Sequence, residues 1–211
     1  MTRIMCDQLG NMPLLSLLEQ NNLQLDGDKV YLRPLGNADI SEQYLRWLND
    51  EQINRYSERR GKNYTLKDLH NYIDEANTSF NLLQLGIFIS QDSSHVGNIS
   101  LRITNIGARV AEVATLIGEA DYWGRGIIVD AAKTLIHFAF QKIKLRKITL
   151  GNYSLNRAST FKSKQLGATL EGRFRESAFI NGEYVDTLEF GLFPDNFYQK
   201  FPELLENPSR A

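Results

Sequence analysis

Ala111–Gly126, AEVATLIGEADYWGRG, decides the fold. Val113 to Ile117 is an apolar run of strand character that stops at Gly118. An acidic and aromatic loop follows, and Gly124-Arg125-Gly126 then opens an amphipathic helix. Strand, glycine loop and helix in that order make an anion cradle. Glycine lacks a Cβ, so backbone can approach a phosphate closely. The first amides of a helix lack intrahelical acceptors and point at such a ligand. Arg125 adds a fixed charge with a two-pronged donor.

Moving downstream, Ile128, Ala131, Leu135, Phe138 and Ala139 form the apolar face of a helix from about Gly126 to Lys142. Asp130, Lys133, His137 and Gln141 form its polar face. A strand at Lys147–Tyr153 completes a βαβ unit, so its two strands should be parallel with a right-handed crossover. A helix over about Asn156 to Leu166 is stopped by Gly167. Asn181-Gly182 then marks a hairpin between strands at Leu170–Ile180 and Glu183–Leu192. Moving upstream, Val110–Ile117, His95–Thr104 and Leu85–Ser90 read as an antiparallel meander. Before them, Thr65 with Asp68 opens one helix, Asp39 caps another reaching Leu48, and Lys29–Arg33 is the first strand. This predicts an N-terminal extension at 1–28 with a short helix at Pro13–Gln20, a domain at 29–193, and a tail at 194–211 with loosely docked apolar anchors.

The bulk properties exclude several classes. The 211 residues suit one domain, and the net charge of -1 argues against a dedicated nucleic-acid binder. One cysteine, Cys6, and three scattered histidines give neither a disulfide framework nor a metal-ligand cluster. No signal peptide or membrane-length apolar run is visible. The expectation is a cytoplasmic protein that binds no metal and no membrane.

The order β-α-α-β-β-β-(glycine loop)-α-β-α-β-β resembles the GNAT acetyltransferase superfamily. The motifs agree with it. Trp123-Gly124-Arg125-Gly126-Ile127 resembles the loop that binds the pyrophosphate of coenzyme A. Tyr153–Ser159, followed by Leu166-Gly167, resembles the segment whose Asn156 and Ser159 meet the pantetheine arm. Phe179–Asp186 is similar to a hairpin of ribosomal-protein alanine N-acetyltransferases, whereas Tyr44–Asp50 and His95–Leu101 are similar to an amino-sugar branch. The resemblance implies an α+β fold with a mostly antiparallel twisted sheet of six to seven strands and about four helices. Its fourth and fifth strands should be parallel and splayed, with the pantetheine between them and the backbone of Leu116 and Ile117 pairing with its amides. It also implies acetyl-CoA as co-substrate, a small-molecule amine acceptor and a possible homodimer. Three positions depart from the family pattern: Ile128 replaces a small residue, Ser163 stands where a tyrosine often protonates the thiolate, and Ala178 replaces a hairpin acid.

Acetyl transfer to an amine needs a proton acceptor for the amine, a donor for the oxyanion and help for the leaving thiolate. Ser159 is the candidate hydroxyl for the thiolate; the alternative is a first-turn helix residue. Glu112 is the candidate acid in the cleft; the alternative is a solvated strand-end carboxylate. For the acceptor the candidates are Trp47, Tyr56, Glu58 and Asn98, with Trp47 either a sugar platform or core and Asn98 either a ligand contact or part of a bulge. Arg59, Arg60 and Lys62 either meet a nucleotide-sugar phosphate or form a solvated face. The implied function is acetyl-CoA-dependent N-acetylation of an amino sugar or nucleotide amino sugar. A protein N-terminus as acceptor and a non-catalytic coenzyme-A-binding protein are the alternatives.

Overall fold

The computed structural model describes residues 23–57 and 59–206. The region expected as a helix at Pro13–Gln20, Cys6 and Glu58 lie outside them. Eight strands form one sheet in the order β1-β2-β3-β4-β5-β6-β8-β7. They are β1 (Leu25–Asp26), β2 (Val30–Pro34), β3 (Leu82–Ile89), β4 (His95–Asn105), β5 (Val110–Ile117), β6 (Lys147–Tyr153), β7 (Thr169–Ile180) and β8 (Glu183–Leu192). The helices are α1 (Glu42–Asn49), α2 (Glu51–Asn54), α3 (Leu66–Asn77), α4 (Ile127–Phe138), α5 (Arg157–Gln165), α6 (Pro194–Lys200) and α7 (Glu203–Glu206). Among the described residues, eight strands and seven helices exceed the six to seven and about four expected. The additions are β1, the one-turn α2 and the two C-terminal helices.

The local signals act as the sequence implies. Thr65 and Asp68 close a reciprocal capping box on α3. Asn181 and Gly182 both take positive φ, 51° and 87°, as the tight turn between β7 and β8 requires. The β3-β4-β5 meander is antiparallel, and β5 and β6 are parallel. The cap of α1 differs. Ser41, not Asp39, accepts from the Tyr44 amide at 3.1 Å, because Asp39 is engaged by the Arg33 guanidinium at 2.7 and 2.9 Å.

The polar face of α4 is partly covered. Asp130 and His137 are buried. Asp130 Oδ2 accepts from the backbone amides of Lys29 at 2.7 Å and Val30 at 3.2 Å, and its Oδ1 from Asp28 at 3.2 Å. His137 Nδ1 lies 3.1 Å from the Tyr198 hydroxyl, which also accepts from Gln141. The sheet covers one side of α4, the turn before β2 and helix α6 the other. Segments on both sides of residues 29–193 pack with the domain. Residues 25–26 pair with β2 and join the sheet. Phe197 and Leu204 of the tail are buried in the main core rather than loosely docked. Among the described residues no helix is long and apolar enough to cross a membrane.

Asp130→Ala leaves three backbone donors without their carboxylate acceptor. At roughly 1–3 kcal/mol for an unsatisfied buried group, thermal unfolding is expected to fall by about 5–10 °C. An unchanged midpoint in calorimetry would show that these bonds do not hold α4 to the sheet.

Candidate active site

β5 and β6 are paired only at Val110–Lys147, Ala111–Ile148 and Glu112–Thr149. Beyond Glu112 the strands part, although β5 continues to Ile117 and β6 to Tyr153. The parted edges open into a cleft of about 1310 Å³. That is larger than a typical single small-ligand pocket, and it has two sides. Glu112, Ala114 and Leu116 alternate onto one face of the sheet, and Val113, Thr115 and Ile117 onto the other.

On the second face the glycine loop lies at the N-terminus of α4. Gly126 is its N-cap in a left-handed conformation, φ 81°, which a side chain would strain. Gly124, φ 73°, has nothing within 4 Å of where a Cβ would stand, so the space beside it is open. Lys29 Nζ donates to the Arg125 carbonyl at 2.8 Å and adds a second cation beside the loop. Open glycines, helix amides and Arg125 with Lys29 fit a pyrophosphate, and the parted β5 edge fits an extended amide-bearing arm. Asn156 caps α5 through the Ser159 amide at 3.1 Å, and both residues line the cleft. The Trp123 indole donates to the Ile117 carbonyl at 3.0 Å. Leu116 and Ile117, whose backbone groups are expected to pair with the pantetheine, both line the cleft.

On the first face Glu112 stands opposite Arg102 of β4 and next to Thr149 of β6. Glu189 of β8 is in register with Gly151. A Cβ on Gly151 would lie 3.1 Å from Glu189 Oε2 and 3.8 Å from Glu112 Oε1, so both carboxylates converge over this glycine. Burial, and then the Glu112 charge, hold the Glu189 carboxyl above the usual range. Glu189 escaped the sequence reading because only the β6–β8 register brings it beside Glu112. Asn98 lines the cleft, its Oδ1 3.1 Å from His95 Nε2, which is also 3.0 Å from the Gly97 carbonyl. Both partners are acceptors, so Nε2 carries the hydrogen. Burial lowers the His95 pKa and keeps the ring neutral.

Trp47 is a correction. It is 3% exposed, packs edge-on to His95, and donates its indole N–H to Glu119 at 2.8 Å. A Cβ at Gly118 would overlap its ring. The indole is a core element that fixes the end of β5 and offers no platform to the cleft. Tyr56 does line the cleft, with the Arg55 guanidinium 4.6 Å over its ring. Arg59 and Lys62 join Arg55 on that wall, while Arg60 instead donates to the Phe179 carbonyl at 3.0 Å. Arg59 also donates to the Tyr72 hydroxyl, which donates to Gln84 Oε1 at 2.8 Å.

Lys162 was also missed by the sequence reading. It is 5% exposed, lines the cleft from α5, and donates to Thr115 Oγ1 at 2.8 Å. Burial alone lowers its pKa from 10.5 to about 8. Ser163 is buried, and its hydroxyl donates to the Ser159 carbonyl at 3.1 Å, which spends it within the helix.

The lysine sets a pH dependence. Between about 8 and 10.5 the unfolded chain holds the proton that the folded chain has released, so stability rises with pH across that window. Below 8 the folded state carries the full cost of the buried charge. Lys162→Met should therefore stabilise at pH 7 by roughly 1–3 kcal/mol, and the gain should shrink as pH rises from 8 to 10.5. Thermal melts across that range check this, and a destabilised variant at pH 7 would contradict it.

Comparison with known proteins agrees with this geometry. The family model described as "Acetyltransferase (GNAT) domain" matches residues 29–169. The protein named "Probable N-acetyltransferase YjcK" of Bacillus subtilis is 27% identical over 168 residues, 77% of this chain and 92% of its own. Spermidine N(1)-acetyltransferase of Escherichia coli K12 is 27% identical over 173 residues, 80% of this chain and 88% of its own. The crystal structure of spermidine N-acetyltransferase from Vibrio cholerae in complex with CoA and spermine superposes with a TM-score of 0.71 at 20% identity, covering 80% of this chain and 98% of that one. With the family model spanning well over half of its length, the chain belongs to the GNAT acetyltransferase family and is an acyltransferase.

Proposed function

We propose that the protein transfers acetyl from acetyl-CoA to the primary amine of a small acceptor, an amino sugar or nucleotide amino sugar, and the cations of the cleft favour the nucleotide-linked form, whose phosphates carry negative charge. The observation that carries this reading is the charge layout of the first face of the cleft. Glu112 and Glu189 converge at its apex, where the strands part. Arg55, Arg59, Lys62 and Arg102 line its wall. An amine is drawn to the carboxylates and an anionic group to the cations. Relatives named for spermidine turnover favour a polyamine as the second reading. A polyamine would suit the carboxylates and be opposed by the four cations.

In this reading Gly124, Arg125, Gly126 and Lys29 hold the pyrophosphate, and the β5 edge with Asn156 and Ser159 aligns the arm. Bound acetyl-CoA supplies an activated thioester. Glu112, with Glu189 beside it, accepts the proton of the incoming ammonium so that a neutral amine can attack. Burial first, and then the neighbouring Glu112 charge, raise the Glu189 pKa. Asn98, oriented by His95, and Tyr56 bind acceptor hydroxyls. With Trp47 in the core, tyrosine carries the ring contact.

Three outcomes are expected. Gly126→Asp puts bulk and negative charge against the pyrophosphate and should abolish acetyl-CoA binding by calorimetry; unchanged affinity would remove the loop assignment. Glu112→Gln should shift or abolish the acidic limb of the pH-rate profile, and an identical profile would assign the proton to another group. In a thiol-release screen, kcat/KM for a nucleotide-linked amino sugar should exceed that for spermidine and for short N-terminal peptides by at least tenfold. A preference for spermidine would establish the polyamine reading, and one for peptides the protein acceptor. No turnover with any acceptor would favour a non-catalytic protein.

A further inference from the structure

Lys162 is a buried ammonium, and among the described residues no carboxylate shifts its pKa; burial is the sole cause. Its hydrogen bond is to a neutral hydroxyl, Thr115 Oγ1. A buried cation without a counter-charge is costly, and an apolar residue of similar volume would be cheaper. Its place is specific. α5 projects it into the cleft at Thr115, three residues past the last paired position of β5. Thr115 lies between the glycine loop, where the pyrophosphate fits, and the carboxylates at the apex, where the amine fits. An arm laid along β5 from the loop to the apex would carry its sulfur past Thr115.

We propose that Lys162 donates a proton to the sulfur of the departing coenzyme A, with Thr115 holding its ammonium in position. The proposal rests on the acetyl-CoA reading above. The amine nitrogen forms its bond to the thioester carbon, and the C–S bond breaks with its electron pair going to sulfur. The Nζ–H proton goes to that sulfur, and the amine proton goes to the Glu112–Glu189 pair. The carboxyl then releases its proton to solvent and Nζ recovers one, so that amine and thioester become amide and thiol. A donor titrating at about 8 is matched to a thiol of about 8.5, which favours transfer in either direction. Neighbouring hydroxyls match it less well. Ser163 is committed to the Ser159 carbonyl, and a serine hydroxyl can only relay a proton.

The test needs no acceptor. Coenzyme A is bound to the protein, and its thiolate absorbance is titrated against pH, with the desulfo-CoA complex as blank. An ammonium beside the sulfur should make the bound thiol ionise at least tenfold more readily in the wild type than in Lys162→Met, about one pH unit lower. Lys162→Gln, which keeps a polar group near Thr115, should match Lys162→Met and guards against a folding defect in either. Calorimetry should show that both variants still bind coenzyme A. Equal thiol ionisation in all three proteins overturns the proposal. Failure of the wild type to bind coenzyme A overturns the cofactor reading, and the Lys162 role falls with it. With the best acceptor from the screen, wild-type kcat should fall as pH rises through about 8, and the variants should lack that limb; a wild type without it also overturns the proposal.

Discussion

Everything at this site depends on β5 and β6 pairing over three residues and no further. A parallel pair normally continues, because buried strand edges leave donors and acceptors without partners. Here the strands run on unpaired to Ile117 and Tyr153. An extended chain lying between two open edges can pair with both of them. The gap connects the two faces of the sheet.

The connection places charge where the chemistry needs it. On one face, helix amides, open glycines and basic side chains await an anion. On the other, two carboxylates meet over Gly151, where the absence of a side chain leaves room for both. Lys162 stands between them against Thr115. Carboxylates and cations share the first face, with Arg102 of β4 directly opposite Glu112.

Holding this geometry is the work of elements remote from it. Asp130 gathers three consecutive backbone amides and binds the helix behind the glycine loop to the start of β2. Tyr198 of α6 closes over His137 and Gln141. Trp47 packs on Gly118 and ties its indole to Glu119, which fixes where β5 ends and the loop begins. The loop is positioned from both ends, and its left-handed glycines need no further support.

The sequence by itself determined what is local or periodic. Alternation gave β5 and β6 with their observed limits, Asn181-Gly182 required its turn, and Thr65 with Asp68 required its cap, because these depend on backbone geometry within a few residues. The glycine loop was legible for the same reason. Tertiary structure decided the rest. Asp130 and His137 follow a polar helical spacing, yet are buried, because segments distant in the chain cover that face. Trp47 reads in sequence as either platform or, more often, core, and the packing of Gly118 and His95 around it decides for core. Glu189 becomes a partner of Glu112 only through the β6–β8 register, and Lys162 a cleft residue only where its ammonium meets Thr115 of β5. In each case the deciding factor is proximity to, or burial by, a segment distant in the chain, which a one-dimensional pattern does not contain.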